Sequence, residues 1–155
     1  MNKITLIEDT RQQHGKHDLK AKYFAENDIS VIRTKLYVGD YSRLDNQLLT
    51  VDSKKDVVEI AANICGPQHE RFRNECLRAQ EYGIKLVVLI EEEVSDLAEW
   101  KSPRKKNGQP YTHVSGATLK KAMQTMTEKY GVEFRFCQKA EAGQRIVEIL
   151  TKGEA

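Results

Sequence analysis

The sequence predicts one α/β domain with a mixed β-sheet flanked by helices. Short apolar runs that suit β-strands alternate with segments of helical periodicity along the whole chain, which is the pattern of a layered α/β fold. Residues 85–90, KLVVLI, are continuously apolar after the lysine, as expected of a strand that is buried on both faces. A length of 155 residues with no break in composition fits a single domain with a full core.

The predicted elements follow one another closely. Strands are expected over residues 4–7, 29–33, 48–51, 85–90 and 132–137, with 36–38 leading into the turn Gly39-Asp40-Tyr41. Helices are expected over residues 18–27, 57–64, 68–82, 94–100, 115–130 and 140–150. Residues 12–16 are expected to form a loop, and 101–116 a basic, mobile surface loop. The domain is predicted to span residues 1–150, with a disordered tail over 151–155.

Composition sets limits without choosing a function. The chain has 25 basic and 23 acidic residues, a net charge of +2, so the distribution of charge must decide whether it binds a polyanion. Its three cysteines lack zinc-type spacing and suit reduced thiols. No apolar run approaches the ~18 residues of a membrane span, and the first residues form a strand pattern rather than a signal peptide. The sequence therefore predicts a cytoplasmic protein that does not contact a membrane.

The chemistry-bearing stretch is the predicted hairpin over residues 36–56. Because side chains alternate along a strand, Asp52 and Lys54 leave the end of the strand on the same face. A second carboxylate, Asp40, lies on the preceding turn. Two carboxylates can hold Mg²⁺ together with water and phosphate oxygens, and a lysine beside them can stabilise charge on a phosphate. The alternative is an ordinary solvated strand end, because Asp-x-Lys is a common tripeptide.

Charged residues also close two other predicted strands. Asp9 and Arg11 follow the first strand, where ligands gather in sheets of this class, although a surface ion pair would give the same pattern. Glu91 closes the strand over 85–90. It either joins the acidic cluster or begins a solvent-facing run ahead of the next helix.

Basic residues outside the hairpin are candidates for phosphate contacts, since Lys and Arg clusters bind phosphate without regard to sequence. They are Arg71, Arg73, Lys101, Arg104, Lys105 and Lys106. A solvated helix face and a loop that promotes solubility are the alternatives. The sequence has no Gly-rich phosphate loop, Ser-His-Asp arrangement or dinucleotide fingerprint.

Three motifs occur in a family's order and spacing. They are Asp9-Thr10-Arg11-Gln12, Gly39-Asp40-Tyr41 and Asp52-Ser53-Lys54. In these motifs the chain resembles the XPF/Hef-type nuclease domain of the PD-(D/E)xK superfamily, whose pattern is Asp-x-Arg-Glu, Gly-Asp-Tyr and Glu-Arg-Lys. Arg71-Phe72 and Leu89-Ile90-Glu91 also look like family features, so the resemblance spans nearly the whole chain.

The resemblance implies a restriction-endonuclease-like fold and a metal-dependent phosphodiesterase that acts on DNA in repair or recombination. It implies that Asp40 and Asp52 hold Mg²⁺, which Mn²⁺ can replace, with Asp9 as a further metal-site residue. Lys54 would position the nucleophile, with Arg11 and Glu91 in support. The expected substrate is branched DNA, such as a fork, flap or junction.

The chain departs from the family pattern at several positions. Gln12 stands for a glutamate, Asp52 for a glutamate and Ser53 for an arginine, and no acid lies four residues after Lys54. These changes keep open a catalytically silent DNA-binding or scaffold module, and a nuclease that cuts RNA also remains open. A homodimer through the apolar faces of 117–130 and 140–150 is expected, although core packing explains those faces equally well. Without a following tandem helix-hairpin-helix module, a protein partner could supply substrate selectivity.

Overall fold

The computed structural model describes residues 3–12 and 18–152. Its strands are β1 (Thr5–Glu8), β2 (Ser30–Arg33), β3 (Tyr41–Arg43), β4 (Asn46–Lys54), β5 (Lys85–Ile90) and β6 (Glu133–Phe136). Its α-helices are α1 (Asp18–Glu26), α2 (Val57–Cys65), α3 (His69–Glu81), α4 (Gly116–Tyr130) and α5 (Ala142–Thr151). Short 3₁₀ turns occupy Leu97–Glu99 and Lys139–Glu141.

The strands form one mixed sheet in the order β2-β1-β3-β4-β5-β6. β3 runs antiparallel to both of its neighbours, and the other pairs are parallel. Glu8 on β1 and Val51 on β4 both pair with Tyr41, the first residue of β3. The start of β3 therefore lies between the ends of β1 and β4, so the motifs that precede and follow these strands meet at one edge of the sheet.

Helices cover both faces of the sheet and divide the core into two. On one face α2, α3 and α4 pack against Val88 and Ile90 of β5. On the other, α1 and α5 pack against Val87 and Leu89. The five apolar residues after Lys85 are all buried, which confirms that β5 is covered on both faces. The predicted single α/β domain with a mixed sheet is thus confirmed, and none of the helices in the described ranges is long and apolar enough to cross a membrane.

The helix predicted over residues 94–100 is wrong, because only a single 3₁₀ turn forms there. Asp96 accepts a hydrogen bond from the backbone N–H of Ala98, and Trp100 turns its Nε1 toward Glu92 Oε2 at 2.8 Å. These side-chain bonds favour a turn over a longer helix. The following basic loop is exposed but folded back on itself, with a bridge between Arg104 and Pro110.

Three further predictions concern the C-terminal tail, the loop after β1 and a homodimer. α5 continues through Thr151, so residue 151 is helical, and residues 153–155 of the predicted tail lie outside the described residues. The predicted loop over 12–16 also lies outside them, apart from Gln12. The apolar faces of α4 and α5 pack into the protein's own core, which accounts for their pattern, and a homodimer through them stays a prediction.

Candidate active site

The site is built on a tight turn between β2 and β3. Gly39 has a φ of +78°, and a Cβ at this position would lie 2.9 Å from Thr50 Oγ1, so only glycine fits without strain. The next residue, Asp40, donates its backbone N–H to Val51 O at 2.8 Å. The turn therefore holds the Asp40 carboxyl group against the end of β4.

Tyr41 anchors this turn from the other side of the sheet. Its side chain is fully buried and packs edge-on against Phe24, with ring centroids 5.9 Å apart. Its hydroxyl donates to Glu8 Oε2 at 2.9 Å, and Glu8 also pairs with Arg33 at 2.8 Å. The Gly-Asp-Tyr motif is thus a structural unit that fixes the position of one carboxyl group.

β4 supplies the second carboxylate and the lysine. Asp52 and Lys54 project to the same face of the sheet, as strand alternation predicts, and Lys54 Nζ lies 3.3 Å from Asp52 Oδ2. Asp52 is 4% exposed. Lys54 Nζ also lies 5.5 Å from the centre of the Phe72 ring on α3, which limits the positions that the ammonium group can take.

α3 contributes a carboxyl group that the sequence motifs missed. Glu75 is in hydrogen-bonding contact with the Asp52 side chain and with the backbone N–H of Gly39. It shares one helix face with three other polar residues of the site, Gln68, Arg71 and Arg78. Their spacing of three, four and three residues could have indicated Glu75 from the sequence, since it marks a polar stripe beside the apolar stripe of α3.

These groups line a pocket of about 350 Å³ between the end of β4, α2 and α3. Its lining comprises Arg11, Asp40, Asp52, Lys54, Glu59, Ala62, Asn63, Gln68, Arg71, Phe72, Glu75 and Arg78. Asn63 is 8% exposed, and its Oδ1 has no hydrogen-bond partner among the described residues. The pocket therefore offers a polar, carboxyl-rich floor with arginines at its rim.

The electrostatics of the pocket depend on the contact between Asp40 and Asp52. Burial, followed by the charge of Asp52 and a hydrogen bond to it, raises the pKa of Asp40 well above its usual value. Burial acts in the same direction on Asp52, but the charge of Lys54 and the hydrogen bonds outweigh it and lower the pKa of Asp52. The opposite shifts favour a proton on Asp40 and the ionised form of Asp52.

Glu75 and Lys54 complete this balance of charge. Burial, and then the charge of Asp52, raises the pKa of Glu75 to about 8. Burial opposes the charge on Lys54, but the neighbouring carboxyl groups, Asp52 first, raise its pKa overall. The crowding of three carboxyl groups around the Lys54 ammonium thus favours the protonated forms of Asp40 and Glu75 in the metal-free pocket.

Besides Asp52, the two other substituted motif positions, Gln12 and Ser53, also contact Asp40. The amide of Gln12 forms a side-chain hydrogen bond with it, while Gln12 Oε1 is buried without a hydrogen-bond partner in the described part of the chain. The backbone N–H of Ser53 donates to Asp40 Oδ2 at 2.8 Å. That bond is independent of the side chain at position 53, so the absence of an arginine there does not disturb it.

Asp9 lies beside the pocket but does not line it. Its Oδ1 accepts a hydrogen bond from the backbone N–H of Leu36 at 2.8 Å, and its Oδ2 accepts from Arg11 Nε at 2.5 Å. The side chain is fully buried. Arg11, in contrast, reaches the pocket, and its Nη2 also donates to Leu36 O. Asp9 therefore positions Arg11, and this geometry gives no support to its predicted role as a metal ligand.

The structure does not bring Glu91 to the acidic cluster. Its backbone N–H donates to Lys54 O, but its side chain points to the opposite face of the sheet, where it pairs with Lys20 of α1. The side chain of Glu91 therefore does not contact the predicted site, and strand geometry explains why. Side chains alternate along β5, so the residue after Ile90 cannot share the face of Ile90.

The predicted DNA-contacting residues fall into two groups. Arg71 lines the pocket, whereas Arg73 is exposed on α3 outside the lining. The basic residues of the loop over 101–106 are exposed and do not line the pocket either. Within that loop, Arg104 donates to Gly108 O at 2.6 Å and Lys105 lies over the ring of Tyr111.

The donor set suits a hard divalent cation. Across residues 3–12 and 18–152, no three His, Cys, Asp or Glu side chains are grouped so as to hold a metal by themselves. Mg²⁺ needs only one or two carboxylates, however, because it keeps several waters. Gln12 Oε1 is a buried oxygen without a hydrogen-bond partner among the described residues, and Asp52 Oδ2 is buried with the Lys54 ammonium 3.3 Å away. Added positive charge would favour the ionised forms of Asp40 and Glu75, whose pKa values are raised. These oxygens therefore fit such an ion.

Comparison with known proteins identifies related folds. A family model described as the ERCC4 domain matches residues 8–150. The structure is similar to XPF from Aeropyrum pernix in complex with DNA, with a TM-score of 0.67 and 15% identity over 96% of this chain and 64% of that one. A second structure of XPF from Aeropyrum pernix gives a TM-score of 0.63 at 15% identity, over 96% and 66%. This chain thus spans just under two thirds of each. No curated protein sequence matches.

Proposed function

Because the chain belongs to the ERCC4 domain family, a family of structure-specific DNA nucleases, we propose that it is a divalent-metal-dependent DNA endonuclease. One observation carries the proposal: a single pocket gathers Asp40, Asp52 and Glu75 beside Lys54. Hydrolysis of a phosphodiester needs positive charge that stabilises the attacking and the leaving oxygen. The carboxyl groups can hold a metal ion that supplies such charge, and Lys54 adds its own.

Mg²⁺, or Mn²⁺ in its place, would be held by Asp40 and Asp52, with Glu75 and the Gln12 carbonyl as further oxygen donors. When bound, such an ion supplies a Lewis acid that withdraws charge from the scissile phosphate. Asp9 is not among these ligands, because its carboxylate oxygens accept hydrogen bonds from Leu36 and Arg11.

The positive side chains have separate tasks. Lys54, held between Asp52 and the Phe72 ring, is placed to orient the attacking water and to stabilise negative charge at the reacting phosphate. Arg11 and Arg71 line the pocket and would bind the phosphates that flank the scissile bond. The Asp9 carboxylate keeps the Arg11 guanidinium in a fixed direction, which lowers the cost of ordering it when DNA binds.

Branched DNA, such as a fork, flap or junction, is the proposed substrate. Family membership supports this class, and the structurally similar XPF from Aeropyrum pernix is described in complex with DNA. A role in DNA repair or recombination would follow from that substrate class.

The test is cleavage of labelled fork, flap, junction and linear DNA in Mg²⁺ or Mn²⁺. We expect cutting of at least one branched DNA, and its loss in Asp52→Asn. Asp45→Asn serves as the matched control, because Asp45 lies in the turn at the other end of the same hairpin and is exposed. The absence of cutting with every substrate and metal, or an Asp52→Asn variant as active as the parent, would overturn the proposal.

The same samples separate two other functions. A catalytically silent DNA-binding module would bind branched DNA in a salt-dependent manner, but would give no heat of Mg²⁺ binding and no products. A ribonuclease would cut the matched RNA substrates and leave the DNA intact.

A further inference from the structure

A second cavity adjoins the candidate active site. This groove, of about 720 Å³, is lined by Arg11, Lys35, Leu36, Tyr37, Arg71, Asn74 and Arg78. Four of these residues are basic and none is acidic. Three of them, Arg11, Arg71 and Arg78, also line the active-site pocket, so one continuous basic path leads out of it. Such a path suits the phosphate backbone of a bound strand.

The groove is bordered by two exposed aromatic rings. Tyr37 is 70% exposed, and Tyr82, which caps the C-terminal end of α3, is 53% exposed. Their rings stack with centroids 5.3 Å apart and an interplanar angle of 21°. Since Tyr82 covers only one face of Tyr37, the high exposure of Tyr37 leaves its other face open. An aromatic ring with an open face beside a basic groove is the combination on which single-stranded nucleic acids stack their bases.

The tyrosine pair is also held in place relative to the active site. Arg78 on α3 donates its Nε to the backbone oxygen of Tyr37 at 3.3 Å, which ties the segment before the Gly-Asp-Tyr turn to the helix that carries Glu75. Tyr37 itself is only three residues before Asp40. A base that stacks on Tyr37 would therefore be read at a fixed distance from the bond that is cut.

We propose that Tyr37, backed by Tyr82, is a stacking site for one unpaired base of the DNA strand that runs along this groove. A base inside a duplex has both faces covered by its neighbours, so an interior paired base cannot stack on the ring, whereas an unpaired nucleotide can. The basic residues hold the backbone and Tyr37 selects for an unpaired position, which would align branched DNA at the pocket. This inference rests on the proposed function, because it concerns the same DNA.

The test uses fork DNA that carries 2-aminopurine, a base whose fluorescence falls on stacking, at successive unpaired positions next to the junction. Binding is measured in EDTA, so no cleavage is required. We expect quenching at one or two positions with the parent protein, and its loss in Tyr37→Ala together with about 5- to 100-fold weaker fork binding. Binding to fully paired DNA should not change. Tyr37→Phe, which keeps the ring, should behave as the parent.

Tyr111→Ala is the matched control, because Tyr111 is 55% exposed but lies in the basic loop rather than on the groove. Quenching that survives in Tyr37→Ala, or no quenching at any position, would refute the stacking site. The two proposals fail separately. Quenching without cleavage in Mg²⁺ or Mn²⁺ would refute the nuclease alone, and cleavage without quenching would refute the stacking site alone.

Discussion

The ammonium group of Lys20 lies 2.5 Å from Oε2 of Glu91, and the two side chains are only 6% and 4% exposed. This buried ion pair joins α1 to the end of β5, on the face of the sheet opposite the candidate active site. Glu91 therefore stabilises the packing of α1 against the sheet. Two charges so far from water depend on each other, because neither has solvent to replace its partner.

Glu91→Gln should therefore destabilise the fold by about 3–5 kcal/mol, since it leaves the Lys20 charge buried without a counter-ion. Urea unfolding of the metal-free protein measures this loss. Lys20→Met combined with Glu91→Leu should recover most of the lost stability, because apolar residues of similar volume leave no unpaired charge buried. A Glu91→Gln variant with parental stability and no DNA cleavage would instead place Glu91 in the catalytic machinery.

Glu75 makes the stability of the metal-free protein depend on pH. Its pKa rises from a usual value of 4.5 to about 8 on folding, through burial first and the charge of Asp52 second. The folded state therefore holds a proton that the unfolded state releases. The contribution of Glu75 to stability is complete below pH 4.5, falls as the pH rises toward 8, and stays low above that value.

Glu75→Gln should remove this part of the pH dependence. In EDTA, the free energy of unfolding of the variant should fall less steeply between pH 5 and 8 than that of the parent. Asp40 also has a raised pKa, so the difference between the two proteins is the relevant quantity. Parallel profiles would mean that Glu75 is ionised in the folded protein. Glu59→Gln is the control, because Glu59 lines the same pocket from α2.

The alternation of side chains along a strand and the sequence of the turn were enough to predict where Asp40, Asp52 and Lys54 lie. Placing Asp52 and Lys54 on one face needed only the two-residue period of a strand, and Asp40 followed from its place in a Gly-Asp-Tyr turn. The same alternation of side chains explains why the predicted place of Glu91 in the site was not correct. Without the register between β4 and β5, nothing in the sequence reveals which parity of β5 matches Asp52, and the structure pairs Asp52 with Val88. Glu91 then falls on the other face.

The residues that the sequence did not reveal come from helices. Glu75 and Asn63 reach the pocket only because α2 and α3 pack over the end of β4. Helical periodicity shows that a helix has a polar stripe, but not whether that stripe faces solvent or a site. The direction depends on how the helices cross the sheet, which is a matter of long-range packing. For the same reason, sequence motifs placed Arg71 and Arg73 together although only Arg71 lines the pocket.

Gly39 offers a direct test of the turn that holds Asp40. Gly39→Ala adds a Cβ at a φ of +78°, 2.9 Å from Thr50 Oγ1, so both the backbone and the packing are strained. We expect a loss of about 1–3 kcal/mol in urea unfolding and weaker metal binding, since Asp40 must move. Gly108→Ala is the control, because Gly108 also has a positive φ but has no atom near its Cβ position. Equal losses in both variants would show that backbone strain alone is responsible.

Asp9 and Asp52 should differ in what they do for the metal. Asp52→Asn removes a proposed ligand and should abolish Mn²⁺ binding in calorimetry. Asp9→Asn should leave Mn²⁺ affinity within about twofold, and should cost about 1–3 kcal/mol of stability because it weakens the hydrogen bonds to Arg11 and Leu36. Loss of Mn²⁺ binding in a folded Asp9→Asn protein would restore Asp9 as a ligand.

Arg71 and Arg73 form a matched pair for the path of the DNA. They lie two residues apart on α3, but only Arg71 lines the pocket and the adjoining groove. Arg71→Gln should weaken binding to fork DNA and lower the slope of log affinity against log salt by about 0.9, the value for one lost phosphate contact. Arg73→Gln should change neither quantity. Fluorescence anisotropy at several salt concentrations, in EDTA, provides both measurements. Equal effects of the two substitutions would mean that net charge, rather than this groove, attracts the DNA.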